Sequence, residues 1–586
     1  VRAPLAVFST FFIAAGLAFA DPGLTLTPSI GSSQPVGTSI KWTASASGSM
    51  WYQFSVQPSG GAFSIVRDFS SSPTFTWTPI DEGQYVIRVV AQATGSPSTT
   101  LTTTQGFAIT TRALTGFPVV TATSNPLVAL YSAPPCGTGT IVAQFAIATQ
   151  SNWQSTNSKP CSATASSNFY IAGMLAATNY KMRHVVYNGS QATASAPVLF
   201  TTGAISQTLP TFQLPTPATQ QSSLAERVVL HSMLDVANVK VTLPVATDIF
   251  GRVIWYYNGM YGVPSALFYI TRPVDGGTML GLSSCCGGAD YTLLEIDLAG
   301  NAVRQTMMST INRQLAQLGY ETVKGIHHEA VRFPNGQTLL IGMLEHTGPP
   351  DTLGDMIIAL DPNFQVVWAW NSFDHMDQSR GPLLGETCAI SYGALCPAQS
   401  LSAVDWLHSN SISYSPDDHN LIVSMRHQDW VVKIDYQDGQ GSGNVIWRLG
   451  WQGDFTFAGI ADLYPWFSHQ HDVDWQPGSD LVTVFDNGNT RCAVTSSCMS
   501  RGQVWQLDEE NHIATLQVND YLGVYSDRHG SAQILSNGNY FFSADYVEPW
   551  VVANHVEITP SGSAVYDLVT LGSEYRTFRM KSLYQQ

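Results

Sequence analysis

Asp361-Pro362-Asn363-Phe364-Gln365-Val366-Val367-Trp368 decides the fold, because its pattern returns along the chain. It sets an acidic residue before a turn, then an apolar strand ending on Trp. Further copies are Asp248-Ile249-Phe250-Gly251-Arg252-Val253-Ile254-Trp255 and Asp297-Leu298-Ala299-Gly300-Asn301-Ala302-Val303. Asp435 leads through a longer turn to Val445-Ile446-Trp447, and Asp508-Glu509-Glu510-Asn511-His512-Ile513 follows. Thr559-Pro560-Ser561-Gly562-Ser563-Ala564-Val565 ends the series without the acid. Six copies, roughly 50–75 residues apart, predict six four-stranded sheets arranged radially, a six-bladed β-propeller over residues 225–586. A solenoid would need shorter repeats, and a sandwich would not repeat six times.

Toward the N-terminus the texture changes. Ser39-Ile40-Lys41-Trp42 and Tyr85-Val86-Ile87-Arg88-Val89-Val90 alternate between turns rich in Ser, Gly and Pro. They predict an immunoglobulin-like β-sandwich over 22–112, with Asp81-Glu82-Gly83-Gln84-Tyr85 as the turn into a Tyr-bearing strand. Residues 116–203 read as a fibronectin III-like sandwich, with Leu175-Ala176-Ala177-Thr178-Asn179-Tyr180 at the corresponding corner. Residues 204–224, rich in Pro, Thr and Gln, read as a linker. The expected fold class is therefore all-β.

Residues 1–20 read as a signal peptide: Arg2, an apolar run from Leu5 to Phe19, and Ala18-Phe19-Ala20 before Asp21. The mature chain is then expected to be secreted or periplasmic, since no later segment is apolar for long enough to span a membrane. Eight cysteines suit an oxidising compartment. Cys136 with Cys161, Cys388 with Cys396, and Cys492 with Cys498 lie close enough for local staples, Cys285-Cys286 is a vicinal pair, and the CxxC zinc pattern is absent. Charged residues are only 12% of the chain, against about 25% in an ordinary soluble domain, so Ser, Thr, Gly, Asn and Gln must carry the surface. A formal net charge of −16 argues against nucleic acid or anionic lipid as partner.

A second recurring strand carries the chemistry. It appears as His328-Glu329-Ala330-Val331-Arg332-Phe333-Pro334 and as His471-Asp472-Val473-Asp474-Trp475-Gln476-Pro477. Asn410 stands at the same offset before Pro416, with His408 two residues earlier. Side chains alternate along a strand, so His408 and Asn410 share a face, as do His469 and His471. By the same rule Glu329 and Asp472 should face away from the axis. His529, in Asp527-Arg528-His529-Gly530, begins a similar strand one residue out of register. Equivalent strands around a propeller axis would bring these groups to one central site. The plainer alternative is structural histidines bonded to nearby backbone. A functional cluster admits two chemistries. One is metal binding by imidazoles, for which the spacing carries no distinctive signature. The other is nucleophilic attack by a neutral imidazole, with further His and an Arg holding a tetrahedral anion.

Asp405-Trp406-Leu407-His408-Ser409-Asn410, continuing to Ile422-Val423-Ser424-Met425-Arg426-His427-Gln428, resembles the arylsulfate sulfotransferases that work without phosphoadenylyl sulfate (PAPS). Phe467-Ser468-His469-Gln470-His471-Asp472 and Leu481-Val482-Thr483-Val484-Phe485-Asp486-Asn487-Gly488 resemble the next stretch of that family. The resemblance implies a six-bladed propeller that transfers a sulfuryl group between phenols by a ping-pong route through a sulfated histidine. It implies His471 as nucleophile, with His408, Asn410 and Arg426 on the sulfuryl oxygens. His328, preferred over His327 by strand register, would bind oxygens or serve as acid/base. His529 and His327 are further substrate-binding candidates. The implied partners are small aryl sulfates and phenols, with no cofactor and no metal. Asp472 departs from the family, which often has an uncharged residue after the nucleophile.

Two readings of other classes compete. One is a secreted, non-catalytic propeller and sandwich protein for binding or adhesion. The other is a metal-dependent propeller lyase or hydrolase. A nucleotide-using sulfotransferase would need a phosphate-cradling loop, and the sequence holds no Gly-Lys-Ser/Thr.

Overall fold

The computed structural model describes residues 23–94, 96–235, 244–258, 266–285, 290–389, 402–495, 498–547 and 552–585. The expected signal peptide lies outside them, as do Cys286 and Cys396. Among the described residues the fold is all-β, and α1, Met308–Leu318, is the one helix longer than a turn.

Each acidic repeat closes the hairpin between the third and fourth strands of a sheet. Asp361 Oδ1 accepts from the N–H groups of Asn363 and Gln365 at 2.7 and 2.9 Å. Asp248 does the same for Phe250 and Arg252, and Asp297 for Ala299 and Asn301. Asp435 accepts from Ser442 and Asp508 from Asn511. Thr559 substitutes its Oγ1, accepting from Ser563 N–H at 3.2 Å. A short side-chain acceptor satisfies turn donors that no ladder reaches, so Asp and Thr can each hold the position.

The leading strands of five sheets are β1 (Ala266–Val274), β2 (Gly325–Arg332), β3 (Ser409–Ser415), β4 (His471–Gln476) and β5 (Ser531–Ile534). Each is followed by three antiparallel strands in chain order. In the remaining sheet the C-terminal strand β6 (Ser573–Met580) pairs with Val228–Asp235, which continues to Pro244–Asp248 and Val253–Tyr256. The start and end of this region thus meet in one sheet. β1 to β6 touch in chain order, and Val228–Asp235 touches β1.

The stretch expected as a linker is structured instead. Thr211–Thr216 pairs with Ala564–Leu571 and extends that sheet. Phe212 and Leu214 pack against the cluster holding Leu535, Phe541, Tyr566 and Leu568. Alternating apolar residues within a Pro-rich composition form this strand, and Pro215 is tolerated because the strand is at the edge.

Upstream, two sheets enclose a core of Trp42, Phe54, Ile87 and Val89. Tyr85 Oη donates to the Asp81 carbonyl at 2.8 Å. In the next unit Tyr180 Oη accepts from Leu175 N–H at 2.9 Å, and Cys136 is bonded to Cys161. The core of that unit runs on without a break into Trp255, Leu294 and Phe578. Cys492 is bonded to Cys498, and Cys388 is also in a disulfide.

Candidate active site

Bulges in β2, β3 and β4 aim the site residues. His327 lies opposite Ile341 but Ala330 opposite Leu340, so His328 and Glu329 bow out of the ladder. Asn410 is the extra residue between Ser409 and Ser411 in β3, and the β4 ladder shifts between His471 and Asp474. His328 and Asp472 adopt φ of 59° and 51°. An extra residue ends strict alternation.

This corrects the expectation that Glu329 and Asp472 face away from the centre. Both are buried on Arg272, whose Nη2 lies 3.0 Å from Glu329 Oε2 and 2.7 Å from Asp472 Oδ1. Arg576 Nη1 reaches Glu329 Oε2 at 2.7 Å, and its Nη2 donates to the Asn410 carbonyl at 2.7 Å. Ala532 N–H donates to Asp472 Oδ2 at 3.3 Å. Each of β1 to β6 therefore supplies one group to a single buried network.

Beside that network lies a chain of aromatic rings. Centroid distances are 4.7 Å from His408 to His328, 5.8 Å from His328 to Tyr575, 5.7 Å from Tyr575 to His529 and 6.4 Å from His529 to His471. Burial holds His328 and His471 well below the ordinary histidine pKa, helped by His408 at the first and by Arg426 at the second. Burial, then Arg528, pushes His529 down to about 3. These three rings are neutral at neutral pH. His408 Nδ1 lies 2.7 Å from Asp405 Oδ2, and His471 Nδ1 lies 2.7 Å from Asn487 Oδ1.

Among the described residues Arg426 forms no ion pair with a carboxylate. Its Nη1 lies 2.7 Å from His427 Nε2, and its Nη2 donates to the Asp527 carbonyl at 3.0 Å. Asn410 Nδ2 donates to the Gln470 carbonyl at 2.7 Å. Arg426 Nε and Asn410 Oδ1 are buried without a hydrogen-bond partner among the described residues. Neutral imidazoles grouped with one fixed guanidinium suit a tetrahedral oxyanion, because donors held in place need no reorganisation as charge shifts.

A second layer of titratable groups stands behind the rings. His469 Nδ1 lies 2.8 Å from Asp429, and its Nε2 pairs with Glu386. Burial lowers the His469 pKa, but Asp429 and Glu386 outweigh it and the net shift is upward. Burial raises the Glu386 pKa, yet its bond to His469 brings it to about 2. The ligand atoms of Glu386, His427 and His469, and those of Asp405, His408 and His427, lie within 4.8 Å of one another. A metal fits neither group well. His427 Nδ1 bonds the Asp405 carbonyl at 2.6 Å, so its Nε2 lone pair is taken by Arg426, whose fixed charge would repel a cation.

His328, His408, His471 and His529 thus lie along one ring chain, with Arg426 and Asn410 bonded to neighbouring segments. His327 stands behind His328, with Nδ1 2.7 Å from its neighbour's Nδ1 and Nε2 3.2 Å from Asp355 Oδ1. His469 does not share the surroundings of His471, because it precedes β4 with φ of 50° and escapes strand alternation. Sequence reasoning missed Asp405, Asn487 and Tyr575. Asp405, three residues before His408, offered a short-range signal. Tyr575, which donates to the His328 carbonyl at 2.8 Å, offered none, since β6 belongs to a sheet whose other strands lie far away in sequence.

Residues 216–569, more than half of the chain, match the family described as Arylsulfotransferase (ASST). The chain belongs to that family. It is similar to "Arylsulfate sulfotransferase AssT" of Escherichia coli O6:H1 (strain CFT073), 25% identical over 232 residues, or 31% of this chain and 38% of the relative. The enzyme of the same name from Lelliottia amnigena is 26% identical over 238 residues, again 31% and 38%. The match therefore spans well under half the length of these relatives. Among solved structures, TolB from Acinetobacter baumannii is 10% identical with a TM-score of 0.34, covering 68% of this chain and 78% of its own. A two-domain fibronectin type III segment of chicken tenascin is 15% identical with a TM-score of 0.13, covering 31% and 98%.

Proposed function

We propose that this arylsulfotransferase moves a sulfuryl group from an aryl sulfate to a phenolic acceptor by a ping-pong route through a sulfohistidine, without PAPS. His471 is the nucleophile. His408, Asn410 and Arg426 hold sulfuryl oxygens, His328 handles the proton at the phenolic oxygen, and His529 and His327 complete the substrate surroundings. The sheets led by β1 to β6 are the blades of a six-bladed propeller over 225–586, preceded by sandwich units over 22–112 and 116–203. The mature protein works outside the cytoplasm after loss of residues 1–20.

One observation carries this reading: a buried, neutral His471 within the field of Arg426, with its Nδ1 already engaged. Neutral imidazole attacks well near neutral pH, and a phenolate leaves readily when a proton donor is near. Like phosphoryl transfer, the reaction needs positioned charge more than covalent machinery. Purified protein incubated with p-nitrophenyl sulfate and a phenol should release p-nitrophenol and sulfate the acceptor without nucleotide, and His471→Ala should abolish both. Unchanged activity in that variant would remove His471 from the mechanism. Activity lost on chelation and restored by a divalent ion would replace this reading with a metal-dependent one.

A further inference from the structure

Asn487 follows the strand Leu481–Asp486 and is fully buried. Its Nδ2 donates to the Ser526 carbonyl at 2.8 Å and to the His529 carbonyl at 2.9 Å. Carbonyls only accept, so these two bonds settle which end of the amide carries hydrogen. Oδ1 must then be the atom facing His471 Nδ1 at 2.7 Å. An amide oxygen cannot donate. The proton in that bond therefore belongs to His471 Nδ1, and Nε2 keeps its lone pair.

We propose that Asn487 is a positioning residue that locks His471 in the Nδ1–H tautomer and makes Nε2 the atom that accepts the sulfuryl group. This rests on the reading of His471 as nucleophile. In the first half-reaction the Nε2 lone pair forms the N–S bond while the aryl O–S bond breaks. The phenolate leaves with that electron pair and takes its proton from water, because neutral His328 can donate a hydrogen bond to the phenolic oxygen but has no proton to release. The ring becomes an Nε2-sulfoimidazolium that still carries its Nδ1 proton. As positive charge grows on the ring, the bond to Asn487 becomes charge-assisted and stronger, so it favours the transition state over the resting enzyme. In the second half-reaction the acceptor phenol gives its proton to neutral His328, which passes it to solvent. Its oxygen then bonds to sulfur, and the N–S pair returns to Nε2.

The choice of amide over carboxylate follows from the same geometry. An Asp in this place would put a buried negative charge beside the ring, stabilise the imidazolium, and hold His471 protonated where it must be a free base. It would also repel the sulfuryl oxygens. Asn487 supplies the acceptor without the charge.

The test uses the full chain labelled with [15N]histidine, with the His471 resonances located by their loss in His471→Gln. At pH 7.5 the wild type should show a protonated Nδ1 and an unprotonated Nε2. In Asn487→Asp the acid limb of the kcat/KM profile should move up into or beyond the ordinary histidine range, near 6.5. Asn487→Leu should lower kcat by about 1,000-fold or more, the scale of an imidazole held in the wrong tautomer. If that variant does not fold, the wild-type spectrum and the near-isosteric Asp variant still decide the matter. An Nε2–H tautomer in the wild type, or an acid limb unmoved in Asn487→Asp, overturns the proposal. Mass spectrometry after quenching with donor alone separates the two readings. A sulfuryl group on any residue but His471 overturns the proposed function itself, whereas sulfo-His471 with the modification on Nδ1 overturns only the role of Asn487.

Discussion

Removing Arg576 tests the network that joins β1 to β6. Arg272 and Arg576 balance Glu329 and Asp472, and the four side chains are between 0% and 16% exposed. Arg576→Met would leave Glu329 and Asp472 sharing Arg272 alone, one buried negative charge in excess. Among the described residues, Asn410 would keep only the Tyr575 hydroxyl, at 3.3 Å, on its carbonyl. Breaking a buried pair from one side costs about 3–5 kcal/mol, chiefly because the abandoned charge stays desolvated. Glu329→Gln should cost a similar amount by stranding positive charge. The double variant restores balance between Arg272 and Asp472, so its cost should fall short of the sum by about 2 kcal/mol or more. Urea unfolding followed by tryptophan fluorescence on the full chain measures all three. Single substitutions within about 1 kcal/mol of wild type, or strictly additive costs, would refute the reasoning. The active-site readout is linked, because Arg576 also holds the Asn410 backbone at the bulge.

Further expectations follow from the same geometry. With His471 and His328 held well below the ordinary histidine pKa, kcat/KM should stay flat as pH falls through 6.5, and a limb at that pH would contradict neutral, buried rings. Stability should behave differently. Below about 6.5 the unfolded chain protonates His328, His427, His471 and His529 while the folded chain does not, so at these four rings, which outnumber the raised His469 and His555, the unfolded state binds more protons. Thermal stability should therefore drop from pH 7.5 to pH 5, and a scan flat over that window would count against it. Arg426→Lys keeps the charge but loses the planar fork, and should lower kcat/KM on an aryl sulfate by about 100-fold, the scale of one lost oxyanion donor. Replacing Cys136 and Cys161 by Ser opens a staple with a sequence separation of 25 and should destabilise its unit by about 3 kcal/mol while sulfuryl transfer survives. Differential scanning calorimetry and the p-nitrophenyl sulfate assay check the two halves of that statement.

The turn repeat was legible because its cause is local. Asp361 and its counterparts accept from N–H groups two to four residues away, so the sequence neighbourhood contains the whole device. The paired strand Thr211–Thr216 was hidden for the opposite reason: its partner lies at Ala564–Leu571, and nothing near residue 211 signals that distance. The candidate site divides in the same way. His328, His408, Asn410, Arg426, His471 and His529 could be singled out from their place before a recurring turn and from the family resemblance. Their aim could not. Bulges break what alternation predicts, and those in β2 and β4 turned Glu329 and Asp472 inward onto Arg272 and Arg576. Asn487 carries no signal of its own in the sequence, because what it does depends on two carbonyls, at Ser526 and His529, that only folding brings to its amide.

By itself, then, the sequence determined an all-β chain, the position of its turns and the residue types available for anion chemistry, since these rest on periodicity and side-chain reach within a few residues. The tertiary structure alone decided which charges neutralise one another at the centre, which imidazoles lose their water and stay neutral, and which nitrogen of His471 meets Asn487. Those are properties of distances between strands from different sheets, and burial sets them only once those strands have closed around a common centre.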